Sequence, residues 1–260
     1  MGNAPQTANE DFILRASKLT KTFRGFTAVN EVDINVRRGH IHAVIGPNGA
    51  GKTTCFNLLT KFLQPTGGTI HFDGIDITRR APADIARLGL VRSFQISAVF
   101  PQLTALKNVR VALQRRTRGD SFDFWRAERC LSALEDEAMS LLEAFGLSAF
   151  SGVPAAELAY GRKRALELAT TIAVNPRMLL LDEPMAGLGR EDIERVAEII
   201  RRIARGRTVL MVEHNLSVVS RLSDHITVLA RGEVLAHGDY ATVSNDERVI
   251  EAYLGSAAHV

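Results

Sequence analysis

Only two cysteines, Cys55 and Cys130, occur in this 260-residue chain, too few for a disulfide framework or a cysteine-built metal centre. Both read as ordinary buried or half-buried thiols. No uninterrupted apolar run reaches the length needed to cross a bilayer, yet hydrophobic residues make up 46% of the chain, enough for a sizeable core. An apolar leader is missing as well. Met1 to Asp11 is polar, which predicts a flexible tail and a cytosolic location. A large charge of one sign is also absent: the formal charge is +3, too small to argue for nucleic-acid binding, and Arg115, Arg116 and Arg118 read as a solvated basic face. No internal repeat or low-complexity segment breaks the chain.

What is present is concentrated in Gly46-Pro47-Asn48-Gly49-Ala50-Gly51-Lys52-Thr53. The glycines let successive backbone N–H groups turn inward around an anion, and a helix beginning near Lys52 aims its positive dipole end at the same place. Lys52 neutralises outer phosphates, and the Thr53 hydroxyl suits Mg2+, which prefers oxygen ligands. Order along the chain supports a phosphate-binding loop. His42-Ala43-Val44-Ile45 reads as a buried strand leading in, and Cys55, Phe56, Leu59 and Phe62 recur at helical spacing behind it.

The remaining pattern alternates strands with helices. Ile13–Ala16 and Val32–Val36 read as N-terminal strands, and residues 95–165 as mostly helical. Leu134, Ala138, Leu141, Leu142 and Phe145 share one helix face that Gly146 ends. Later come the apolar runs Arg177–Asp182 and Thr208–Val212, with a helix between them whose apolar face is Ile193, Val196, Ala197, Ile200 and Ile203. Ile226–Leu229 and Glu233–Ala236 flank Arg231-Gly232 as a late hairpin. Strand–helix alternation implies a parallel sheet with crossover helices, and ligands bind at the carboxyl ends of such strands.

Two such ends carry chemistry. Asp182 and Glu183 close the run Leu179-Leu180-Leu181, where ionised groups are costly unless a cation or a catalytic task holds them. Asp182 is expected to hold Mg2+ through water. Glu183, pointing the other way, suits the orientation of a water attacking a γ-phosphate. His214 follows Val209–Val212 and by itself would read as a satisfied core or surface histidine.

Taken in order, these elements resemble the ATP-binding subunits of ABC transporters over nearly the whole chain. Phe23 resembles the aromatic that stacks on adenine, Gln95 in Ser93-Phe94-Gln95 the Q-loop glutamine that also reaches the metal, Leu158-Ala159-Tyr160-Gly161 the signature motif, and His214 the switch histidine. The resemblance implies an α/β P-loop NTPase core with a mainly parallel sheet, an N-terminal antiparallel β region and an inserted helical subdomain. Residues 1–11 would form the tail, 12–94 and 166–260 the nucleotide-binding core, and 95–165 the helical and signature subdomain. It implies catalytic work by Glu183, His214, Gln95 and Lys52, and ATP held by Phe23, by Gly46 to Thr53 with Thr54, and by Tyr160, Gly161 and Arg162. Mg2+ falls to Thr53, Gln95 and Asp182. Within the family, the signature, the helical insertion and the ending Glu247 to Gly255 resemble the ATPases of branched-chain or other hydrophobic amino-acid importers. Urea or amide importers and lipid exporters remain open.

The implied partners are transmembrane permease subunits, a second ATPase subunit (the same chain or a related one) and, indirectly, an extracytoplasmic substrate-binding protein. No nucleic-acid partner is implied, and the location becomes the cytoplasmic face of the membrane. Ile96, Val99, Phe100 and Leu103 are candidates for permease contact or for ordinary core packing. A soluble non-transport ABC ATPase would need coiled coils, tandem halves or an extended basic surface, none of them visible. A small-molecule kinase would not need the signature. Three departures stand out: Ala159 removes the usual serine hydroxyl, Arg162 replaces glutamine, and Gly189 ends the D-loop where Asp or Asn is usual. Arg162, Lys163 and Arg164 at a helix start oppose the macrodipole. Either a phosphate from a facing subunit relieves that conflict or the turn is simply solvated.

Overall fold

The computed structural model describes residues 11–93, 99–114 and 127–257. Most of the N-terminal tail, Gln95, Ile96 and the basic residues Arg115, Arg116 and Arg118 lie outside them. The chain forms two compact units, one built from the chain up to Arg92, Arg177–Pro184 and the chain from Ala204 onward, the other from Ser93–Pro176 and Met185–Ile203.

In the first unit, β1 (Phe12–Phe23) and β2 (Phe26–Arg37) form a long antiparallel hairpin. Only short segments of each show the period-two pattern, because the register shifts repeatedly along the pair. Lys18 and Glu31 sit at positive φ, and the Glu31 amide donates to Thr20 Oγ1 at 3.1 Å. Bulges of this kind break the alternation by which a strand is recognised. β3 (Ile41–Ile45) follows, with all five residues buried, and leads through the glycine-rich turn into α1 (Lys52–Leu59). Cys55, Phe56 and Leu59 are buried as expected, but the helix stops at Leu59 and Lys61 is left-handed at φ 63°. Phe62 therefore leaves the helical face and is exposed. β4 (Gly67–Phe72) and β5 (Ile75–Asp76) complete a four-stranded antiparallel sheet in the order β2-β1-β4-β5. After α2 (Pro82–Arg87) comes β6 (Leu90–Ser93), which enters the second sheet.

The second unit packs α3 (Ala105–Gln114), α4 (Ala127–Ala144) and α5 (Tyr160–Ala173) against one another. Ala138, Leu142 and Phe145 are buried, and Gly146 at φ 69° ends the run, as the spacing predicts. Between α4 and α5 the chain is less helical than expected. It makes two short 3-10 turns, Ser148–Phe150 and Ala155–Glu157, and a bridge between Thr104 and Pro154. Pro154 supplies no N–H and biases Val153 away from helix. The sequence boundary at residue 165 falls inside α5, which lies whole in this unit.

Returning to the first unit, β7 (Met178–Asp182) matches the expected strand. It is followed by α6 (Arg190–Ala204), which belongs to the second unit as far as Ile203, and by β8 (Thr208–Val212). Val196, Ala197, Ile200 and Ile203 are buried as predicted, and Ile199 joins them. α7 (Leu216–Leu222) precedes the late hairpin, β9 (His225–Ala230) with β10 (Glu233–Gly238), which is antiparallel. α8 (Tyr240–Ser244) and α9 (Glu247–Ala257) close the chain. The sheet order is β10-β9-β3-β8-β7-β6, and β3 pairs in parallel with both β8 and β9. This is an α/β fold whose central strands deliver their carboxyl ends to one edge. Among the described residues no helix is long and apolar enough to cross a membrane.

Candidate functional site

The turn after β3 is shaped by what its glycines touch. A Cβ on Gly46 would run into the Leu229 carbonyl, and one on Gly51 would lie 2.6 Å from the Ala28 carbonyl. Gly51 is also the left-handed residue from which α1 departs, at φ 96°. β2 and the β9–β10 turn thus press on the loop from outside, and the Gly232 amide donates to the Ala50 carbonyl at 3.1 Å. At the start of α1 no side chain caps the helix and no acidic residue stands in the first turn. Its leading N–H groups and positive dipole end are left for an external anion.

Lys52 supplies the cation. It is 9% exposed, and its ammonium donates to the Gly46 and Pro47 carbonyls at 2.7 and 2.9 Å. Burial pulls its pKa below the ordinary lysine value, and the Glu183 carboxylate works in the opposite direction. An ammonium has three donors, so a phosphate oxygen can take the third. Thr53 is exposed beside it, Thr54 half-buried, and Asn48 exposed in the loop. Uncapped amides, a nearly buried ammonium and adjacent carboxylates form a donor set that fits a magnesium-bound phosphate chain.

Asp182 ends β7 and Glu183 follows it, and pairing with β8 carries Asp182 opposite Val212. Asp182 is 1% exposed and forms an ion pair with Arg92 on β6, the neighbouring strand. Glu183 takes a left-handed conformation at φ 46° while its amide donates to the Val212 carbonyl at 3.0 Å. A non-glycine residue held there stores backbone strain, which clusters at functional sites.

His214 is exposed after β8. Glu213, which sequence reasoning missed, is fully buried, and its Oε2 accepts from the amides of His214 and Asn215 at 3.0 and 3.1 Å. Asn215 then caps α7 by accepting from the Val218 amide at 3.2 Å. An acidic residue at the end of an apolar strand, followed by Asn ahead of a helix, was the signal available. Phe23 stands 42% exposed at the tip of the β1–β2 hairpin, with the Lys21 ammonium 5.1 Å from its ring centre. Gln95 lies outside the described residues.

In the second unit, Ala159 is the N-cap of α5, with no side-chain cap and no acid in the first turn. Tyr160 is 59% exposed and donates its hydroxyl to the Ala186 carbonyl at 3.2 Å. Gly161 is buried, and a Cβ there would collide with the Asp192 carboxylate. Two of the three basic residues have partners: the Arg162 guanidinium lies 4.0 Å from the Phe150 ring centre, and Arg164 pairs with Glu167 at 2.8 Å. Gly189 is exposed and faces open space. Among the permease-contact candidates Val99 is buried and Phe100 is exposed. The loop is pinned by buried Asn108, whose Oδ1 accepts from the Phe100 amide at 2.6 Å and whose Nδ2 donates to the carbonyls of Phe100, Leu103 and Thr104.

Comparison with known proteins gives a consistent answer. The family model for the ABC transporter matches residues 29–186, and one described as branched-chain amino acid ATP-binding cassette transporter matches 233–259. The chain is 40% identical to BraF, a high-affinity branched-chain amino acid transport ATP-binding protein of Pseudomonas aeruginosa, over 94% of this chain and 98% of that one. It is 37% identical to the corresponding protein LivG of Escherichia coli, over 94% and 98%. Among solved structures, a nucleotide-free ATP-binding cassette from an ABC transporter matches with TM-score 0.80 at 30% identity, covering 93% of this chain and 98% of that one. An ATP-binding cassette in its ADP conformation matches with TM-score 0.80 at 29% identity, covering 94% and 99%.

Proposed function

The chain belongs to the ABC transporter family as an ATP-binding, ATP-hydrolysing subunit, and from that premise we propose that it powers the import of branched-chain amino acids. The observation that carries the ATPase reading is the nearly buried Lys52 ammonium, held by the carbonyls of its own loop, with the Glu183 carboxylate favouring its charged form. The substrate class rests on the relatives and on the C-terminal match.

Each residue has a role in this reading. Phe23 offers its exposed ring to the adenine. The loop from Gly46 to Thr54, through its backbone N–H groups (Pro47 has none) and the Lys52 ammonium, surrounds the phosphates, while Thr53, Asp182 and Gln95 hold Mg2+, directly or through water. Bound Mg2+ neutralises charge that builds on the phosphate oxygens. Glu183 orients and polarises the attacking water, and His214 faces the terminal phosphate from the end of β8. A second subunit presents its own Tyr160, Gly161 and Arg162, so that ATP closes a pair and hydrolysis opens it. A guanidinium stacked by its face on Phe150 keeps its N–H edge for an anion. The pair works on the cytoplasmic face of the membrane against permease subunits, for which the exposed Phe100 is a candidate apolar contact, and an extracytoplasmic binding protein delivers the cargo.

The experiment is ATP hydrolysis by the chain assembled with its permease subunits in vesicles. Leucine-loaded binding protein is expected to stimulate turnover, and stimulation by a urea-loaded protein alone would overturn the substrate class. Glu183→Gln is expected to bind ATP, accumulate closed pairs and lose turnover on the order of 10²–10⁴-fold. Near-parental turnover would remove Glu183 from the chemistry.

A further inference from the structure

We infer that Arg92 is the resident counter-ion of Asp182 and that it weakens the hold of this site on a divalent cation, leaving the metal dependent on the nucleotide's own phosphates. The inference rests on the reading of Asp182 as a metal-holding residue.

Asp182, at 1% exposure, is a carboxylate whose burial is costly unless hydrogen bonds or an opposite charge compensate it. Arg92 supplies that charge. Its Nη2 donates to Asp182 Oδ2, its Nη1 donates to Asn57 Oδ1 at 2.6 Å, and the Phe62 ring centre lies 5.9 Å from its guanidinium carbon. Side-chain exposure of Arg92 is only 10%. Asn57 belongs to α1, so a single guanidinium ties the helix of the phosphate loop to the carboxylate at the end of β7. The same exposure of Phe62 that departs from the helical pattern places its ring beside Arg92.

Hydrogen bonding alone does not explain the placement, since the buried Arg92 Nε has no hydrogen-bond partner among the described residues. A buried donor left unpaired costs stability, and such groups persist where another task fixes the side chain. The task that fits is electrostatic. A fixed positive charge in contact with a carboxylate subtracts from the attraction that carboxylate exerts on a dication, and the subtraction is strong where solvent is excluded. With nucleotide bound, phosphate charge restores the attraction. Once the nucleotide leaves, Asp182 keeps a counter-ion that needs no metal.

The test uses Mn2+ in place of Mg2+, with the full chain, and reads free Mn2+ by its electron paramagnetic resonance signal with and without ADP. Arg92→Met, similar in reach and uncharged, is expected to bind Mn2+ at least about tenfold more tightly, most visibly without ADP. Arg92→Lys keeps the charge and is expected to stay near the parent. Arg92→Gln keeps an N–H toward Asp182 and serves as the uncharged variant if the Met variant does not fold. Equal or weaker Mn2+ binding in the uncharged variant overturns the inference. Asp182→Asn separates the two levels: if it binds Mn2+ with ADP as the parent does, the metal reading of Asp182 fails. If it binds weakly while the uncharged Arg92 variant matches the parent, only the role of Arg92 fails.

Discussion

The Gly161 α-carbon lies so close to the Asp192 carboxylate that a side chain at 161 would overlap its carbon and both its oxygens. Asp192 in turn accepts from Arg195 at 2.8 Å one turn along α6. Gly161→Ala must therefore swing the Asp192 side chain aside, a movement a carboxylate on a flexible stem can make, while alanine gains about 1 kcal/mol of helix propensity over glycine. The expected outcome is a melting temperature close to or above the parent's. ATP-driven pairing should weaken strongly, as measured by size-exclusion chromatography in the Glu183→Gln background. Full pairing would show that the Gly161 backbone does not meet the facing nucleotide.

Arg162 is the sharper test of the same surface. Stacking on Phe150 fixes the guanidinium 4.0 Å from the ring centre, and such a stack contributes about 0.5–1 kcal/mol at a partly exposed site. Arg162→Gln gives up that contact and the proposed contact to phosphate together, whereas Phe150→Leu gives up only the first. Pairing in the presence of ATP is expected to suffer more in Arg162→Gln than in Phe150→Leu. Equal losses would assign Arg162 to packing alone.

The local signals were legible where one pattern sufficed. Gly46 to Thr53, Asp182-Glu183 and the five-residue strands β3, β7 and β8 could be read directly, because buried parallel strands are continuous apolar runs. Less visible was whatever depends on the third dimension. The full lengths of β1 and β2 are hidden by bulges at Lys18 and Glu31, and the helical spacing that reaches Phe62 outlasts the helix, which ends at Leu59. Arg92, Glu213 and Asn108 gave no periodic signal. Each is a polar residue whose importance comes from a partner far along the chain or from backbone amides, and neither is visible in spacing.

Glu213 carries the next prediction. Its fully buried carboxylate holds the amides of His214 and Asn215, and hydrogen bonds to a charged group contribute about 1.5–3 kcal/mol each. Glu213→Ala leaves two amides unpaired and is expected to lower stability by at least about 2 kcal/mol in urea titration. Glu213→Gln, which keeps an acceptor oxygen, should lose less. In the Ala variant nucleotide affinity should hold while turnover falls, because the backbone of His214 loses its anchor and Lys52 does not. A parallel loss of affinity and turnover would detach Glu213 from His214.

Acid sensitivity should trace to His42. This ring is 1% exposed in the middle of β3, shares a hydrogen bond of 2.8 Å with Thr227 Oγ1, and stacks edge-on with His225, whose neighbour in turn is His237. Burial first, then the nearby histidines His225, His237 and His40, lower its pKa from 6.5 to about 3. Above pH 6.5 the ring is neutral whether the chain is folded or not, so it adds no pH dependence. Between 6.5 and about 3 the unfolded chain takes up a proton that the folded chain refuses, and stability falls by up to about 1.4 kcal/mol per pH unit. His42→Gln keeps a polar partner for Thr227 without a group that titrates in this window. Urea titrations at pH 7, 5.5 and 4.5 are expected to show the parent losing stability more steeply than the variant, and matching slopes would place the acid sensitivity elsewhere.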